Sequence, residues 1–193
     1  MFTTCLDLAA MNQPIHHTLT RGWDVERRRA LFAAGFDDHD EDPARPQLLA
    51  ALEYCWNAYL ARGRDQLLQH GAAAVVAPKL ASGYAVADLV LGRTLIEVKL
   101  AVEPTADDVT MWLRQLLGYV LLDRHDTFAV DTIAVYCGWA GQLLTSPLPT
   151  LLAASGHGGP AALARLREEF GTLLAGELDG YTAWRQRERY RHR

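Results

Sequence analysis

The apolar positions change period several times along the chain, and each change marks an element. Between Gln47 and Leu60 the residues Leu48, Leu49, Leu52, Trp56, Tyr59 and Leu60 recur at helical spacing behind Pro46, which predicts a first core helix. Three short runs rich in Val, Leu and Ile follow, at 73–77, 84–91 and 94–100. Gly or Ser separates them, and they read as strands. After Pro104 the sequence Thr105-Ala106-Asp107-Asp108 resembles a capping box. Trp112, Leu113, Leu116, Leu117, Val120 and Leu121 then form one apolar helical face. A strand at 132–137 and a helix from Ala161 to Leu174 complete the pattern, and the C-terminal tail either continues helically or frays. Upstream, a short helix over Asp24–Ala34 leads to the acidic run Asp37–Asp42. That run lacks the central Gly and alternating oxygens of a calcium loop and reads as a solvated loop.

The hairpin over 85–100 carries the chemistry. Gly92-Arg93 reads as a two-residue turn with glycine at the first position, as type II′ requires. Antiparallel partners then keep a constant sum of residue numbers, which sets Asp88 opposite Glu97. Two like charges so placed destabilise a sheet unless something compensates them. Strict alternation assigns Ile96, Val98 and Leu100, with Ala87, Leu89 and Leu91, to the buried face and leaves the acids and Lys99 on the open one. A divalent cation would turn the repulsion into ligation, and hard carboxylate oxygens suit Mg²⁺ or Mn²⁺. The plainer alternative is an ordinary ion pair from Lys99 to either acid on a solvated face. Two further side chains, Gln115 and Tyr119, stand at i and i+4 on one face of the next helix.

Asp88, Glu97-x-Lys99 and Gln115-x-x-x-Tyr119 together resemble the PD-(D/E)XK nuclease superfamily, in particular its RecB and lambda-exonuclease-like branch. The resemblance covers roughly residues 47 to 140. It implies an α/β fold with a restriction-endonuclease-like core of helix, three-strand meander, helix and strand, with extra N- and C-terminal helices. The expected division is an N-terminal extension (1–46), a nuclease core (47–146) and a C-terminal helix with basic tail (147–193). The resemblance further implies that Asp88, Glu97 and the Val98 carbonyl ligate the metal, that Lys99 positions or activates the attacking water, and that Gln115 and Tyr119 contact or orient the scissile strand. Glu53 is the only acid in the first core helix, and it stands between Leu49 and Trp56. It is the candidate third metal ligand, with an exposed helix glutamate as the equal alternative. The chain departs from the superfamily's name at Ala87, where a proline is usual, and it lacks the cysteines of the iron-sulfur members.

Composition narrows the partners. The 193 residues carry net charge −4, unevenly distributed: residues 1–183 are net −8, while Trp184–Arg193, with five arginines, is net +4. So acidic a body is no general nucleic-acid surface, so DNA, duplex or single-stranded, would need a metal-neutralised groove or the basic tail. Only two of the 19 basic residues are lysines, Lys79 and Lys99. No apolar run is long enough to cross a bilayer, no secretory signal is readable, and three cysteines form no closed disulfide or Cys-x-x-Cys framework. The expectation is a cytoplasmic Mg²⁺-dependent deoxyribonuclease of repair or of defence against foreign DNA. The competing readings are an RNase on the same scaffold and a non-catalytic module that keeps the fold and works with a protein partner or as a homo-oligomer. Adjacent His16-His17, the loop histidines His70, His125 and His157, and the turn Gly156–Gly159 carry no catalytic motif.

Overall fold

The structure, a computed structural model, describes residues 45–191. The short helix over Asp24–Ala34 and the acidic loop lie outside the described residues. Two compact units divide the chain at Asn57/Ala58, and everything that follows from Ala58 onward belongs to the second.

Helix α1 spans Arg45–Ala58, a π-helical turn occupies Tyr59–Gly63, and α2 covers Arg64–Leu68. The first core helix therefore begins two residues early and ends in a wider turn. Gly63 is the reason for its tight seat. A Cβ there would run into the Tyr136 ring, so only glycine admits the tyrosine. Trp56 and Leu60, expected in the core, are exposed, and Ala58 is buried instead.

The strands are β1 (Ala74–Val76), β2 (Lys79–Leu80), β3 (Ala85–Val86), β4 (Leu89–Leu91) and β5 (Thr94–Lys99). Helix α3 (Ala106–Leu122) crosses over to β6 (Thr132–Cys137) and β7 (Gln142–Pro147). Helices α4 (Leu148–Ala154), α5 (Ala162–Leu173) and α6 (Ala175–Arg191) close the chain. One sheet has the order β1-β4-β5-β6-β7, parallel only between β5 and β6, the pair that α3 connects, and β2 and β3 form a separate two-stranded ribbon. This is a mixed α/β architecture with a mostly antiparallel five-stranded sheet. Strand β7 was not expected; it shows no apolar alternation and ends at a proline.

The hairpin register is the expected one: Leu89 pairs with Ile96, Val90 with Leu95 and Leu91 with Thr94. Gly92 takes φ +56°, where a Cβ would also collide with the His70 carbonyl, so the turn and the approach both require glycine.

Two expectations fail here. The run 84–91 is not one strand but β3 and β4 with a bend at Asp88. As a result Ala87 packs in the core with Val90 and Leu95, while Leu89 packs on the opposite side against Ile96, Ala134 and Tyr136. The face carrying the acids is also not open. Leu95, just before Glu97 on that face, is buried among Trp112, Leu116 and Val120 of α3, whereas Val98 and Leu100 on the other face are exposed. The apolar stripe of α3 roofs one side of the sheet, and it is this roof that brings helix residues to the hairpin.

Candidate functional site

The bend at Asp88 turns its carboxylate across to β5, where Oδ2 accepts the Val98 N–H at 2.8 Å. This side-chain bond takes the place of a strand hydrogen bond at the end of β4 and fixes where the charge sits. Asp88 itself is exposed.

Glu97 is 4% exposed. Its Oε1 accepts from Lys99 Nζ at 2.8 Å and from Gln115 Nε2 at 2.8 Å, and Lys99 Nζ also donates to Gln115 Oε1 at 3.0 Å. Gln115 Nε2 donates once more, to the Tyr119 hydroxyl at 2.8 Å. The orientation of the Gln115 amide is dictated by chemistry. An ammonium offers only protons, so the amide oxygen must face Lys99 and its NH₂ the carboxylate. Tyr119 then uses a lone pair on Gln115, and its own hydrogen remains to donate elsewhere.

The other carboxylate oxygen, Glu97 Oε2, is buried without a hydrogen-bond partner. Such an atom costs on the order of 1–3 kcal/mol. Burial pushes the Glu97 carboxyl up from its usual range, and the Asp88 charge adds to the rise. Lys99, by hydrogen bond and by charge, and the Gln115 amide oppose it. Tyr119 is raised as well, first by burial, with the charges of Glu97 and Asp88 adding to it.

Glu97, Lys99, Gln115 and Tyr119 thus form one hydrogen-bonded group, with α3 supplying the last two, while Asp88 bonds to the Val98 backbone and acts on Glu97 through its charge. The bonded Lys99–Glu97 pair of the plainer alternative is present, but under α3 rather than on a solvated face. Val98, whose carbonyl is the expected backbone ligand, pairs with Tyr136 in the parallel ladder. Glu53 stands on α1 and is exposed, so no burial penalty there calls for a metal. Among the described residues no three His, Cys, Asp or Glu side chains gather as a metal-binding group. Two hard carboxylates, near enough for the charge of Asp88 to raise Glu97 and one of them with an orphaned buried oxygen, are nevertheless donors of the kind that suits Mg²⁺ or Mn²⁺. What the sequence did not reveal is the Asp88-to-Val98 bond, because the bend that makes it interrupts an otherwise regular alternation.

A pH dependence follows. A carboxylate whose folded pKa lies above its unfolded one binds more protons folded than unfolded. Its contribution to stability is therefore complete at pH values below the ordinary glutamate range and is lost as pH rises through the raised folded value. In EDTA, denaturation midpoints are expected to fall as pH climbs through this window, and Glu97→Gln is expected to flatten that part of the curve. An unchanged slope in the variant would assign the dependence to other groups.

Among the described residues no helix is long and apolar enough to cross a membrane. Comparisons with protein-family models, with curated proteins and with solved structures return no match.

Proposed function

We propose that the chain is a metal-dependent nuclease that hydrolyses DNA phosphodiester bonds, with a core of the PD-(D/E)XK type. The observation that carries the reading is the distribution of partners on Glu97. Lys99 and Gln115 converge on one oxygen of a buried carboxylate while the other has none, and a second acid, Asp88, lies close enough for its charge to raise Glu97. Asp88, Glu97 and the Val98 carbonyl would hold Mg²⁺ or Mn²⁺. Such an ion supplies Lewis-acid polarisation of the phosphoryl group and a water of lowered pKa.

The chain's own groups do the rest. Lys99 sets an ammonium beside the carboxylates, where it neutralises a phosphate oxygen or fixes the attacking water. Gln115, bonded to Glu97, Lys99 and Tyr119 at once, holds all three in register. Tyr119 directs its free hydrogen toward the strand being cut.

A second reading has its own observation. Lys99 already neutralises Glu97 at 2.8 Å, as a site that never meets a metal would arrange it. On that reading the chain is a binding module that works with a partner protein. Titration calorimetry with Mn²⁺ separates the two. The nuclease reading predicts saturable binding that Asp88→Ala removes, and heats indistinguishable from dilution would favour the module.

A further inference from the structure

Lys79, the second of the chain's two lysines, lines a cavity of about 340 Å³ together with Arg124 and His125. None of the three has an acid partner among the described residues. In a body of net charge −8, three basic side chains around one hollow, whose one lining acid, Asp123, already accepts two backbone N–H groups, make a local anion site.

The hollow is built rather than incidental. Asp123, buried at the end of α3, accepts the N–H groups of Thr127 and Phe128 at 2.9 and 3.0 Å, which fixes the loop that presents Arg124 and His125. Arg167 clamps the same loop through Asp126 at 2.7 Å. Arg124 is seated against the bare backbone of Gly171 on α5, where a Cβ would come within 2.9 Å of Nε. Leu122, Phe128 and Leu178 add apolar lining, and Thr182 adds a hydroxyl. Its size falls within the range of small-ligand pockets and exceeds what a bare phosphate needs.

Both elements of the candidate site lead into this cavity. Ala77 donates to the Asp88 carbonyl at 2.9 Å, and Lys79, two residues on, pairs with Val86, itself two residues before Asp88. On α3, Asp123 follows Tyr119 by one turn, roughly 6 Å.

We propose that the cavity binds a phosphorylated nucleotide unit, its phosphate taken by Lys79 and Arg124 and its sugar or base laid on the apolar lining. That the nucleotide is the phosphorylated end of a nucleic-acid strand, rather than a free mononucleotide, rests on the nuclease reading; the binding itself does not.

The test is titration calorimetry of the full chain in EDTA, so that cleavage plays no part. The probes are thymidine monophosphate, thymidine, inorganic phosphate, and oligothymidylate with and without a terminal phosphate. Thymidine monophosphate is expected to bind, thymidine at least about tenfold more weakly, and Lys79→Ala and Arg124→Ala each to weaken binding about tenfold or more, as loss of a charged hydrogen bond implies. Both side chains are exposed, so these variants should fold, and Lys79→Arg should restore most of the binding. Tighter binding of the phosphorylated oligonucleotide than of the mononucleotide identifies a strand end; equal binding identifies a free nucleotide. Absence of saturable binding to every phosphorylated probe, or binding indifferent to both variants, overturns the proposal. If the protein cleaves DNA with Mg²⁺ but binds no probe in EDTA, only this proposal falls. If it binds the probes and cleaves nothing, only the nuclease reading falls.

Discussion

Asp88→Ala and Lys99→Ala are each expected to reduce metal-dependent cleavage by about 10³-fold or more, by different routes. Removing Asp88 takes away the exposed carboxylate that Val98 holds in place beside Glu97, so the metal affinity should collapse and the rate with it. Removing Lys99 leaves both carboxylates. Metal binding should survive or even tighten, because a competing cation has left Glu97 Oε1, while the water or phosphate oxygen loses its ammonium. Positioned proton-transfer groups contribute roughly 10²–10⁴-fold, and electrostatic stabilisation adds to that. Mn²⁺ titration and single-turnover rates on the same two variants check the split. A Lys99→Ala protein that binds metal and cuts at the wild-type rate would remove Lys99 from the chemistry.

The second large effect is on stability. Glu97 is almost fully buried, and Lys99 is its charged partner. Without metal, Lys99→Ala strands a buried carboxylate, and breaking a buried pair on one side costs about 3 kcal/mol. The loss should be greatest at alkaline pH and shrink on acidification, because protonated Glu97 no longer carries the charge that needs a partner. Adding Glu97→Gln to Lys99→Ala should recover much of it, since the double variant buries no unpaired charge. Urea denaturation of the wild type, both single variants and the double variant closes this cycle. If Lys99→Ala is no less stable than wild type in EDTA, the pair is solvated and the burial argument for Glu97 is wrong.

The parts of this site that could be read from the sequence are those governed by local geometry. A two-residue turn fixes the register of a hairpin, so Leu91 opposite Thr94 followed from Gly92-Arg93 alone. The start of α3 was readable because Thr105 and Asp108 cap each other, Thr105 N donating to Asp108 Oδ2 at 2.9 Å. Helical periodicity likewise put Gln115 and Tyr119 on one face.

Long-range packing was not readable in this way. Nothing in the alternation of 84–91 announces the bend at Asp88, because its neighbourhood is tied to the link between β1 and β2, the Ala77 N–H donating to the Asp88 carbonyl and the Pro78 carbonyl accepting the Ala87 N–H. The assignment of buried and open faces failed for a related reason. Alternation identifies two faces but not their neighbours, and here the tertiary cover is α3 over Leu95 and Glu97. Strand β7 escaped notice because Gln142–Pro147 lies at the sheet edge with most of its residues exposed, so it has no inward apolar row to betray it. The π-helical turn at Tyr59–Gly63 ends at a glycine packed against Tyr136, more than seventy residues away.

Whether purified protein cleaves nucleic acid at this site decides the nuclease reading most directly. Linear duplex, circular duplex, single-stranded DNA and RNA are incubated with Mg²⁺ or Mn²⁺, beside an EDTA control and a Lys99→Ala preparation purified in parallel. Cleavage of at least one DNA substrate is expected, abolished by EDTA, restored by excess Mg²⁺, and lacking in the Lys99→Ala preparation. Intact substrates throughout, from protein that is folded by its denaturation curve, would contradict the nuclease reading, as would cleavage that persists unchanged in Lys99→Ala.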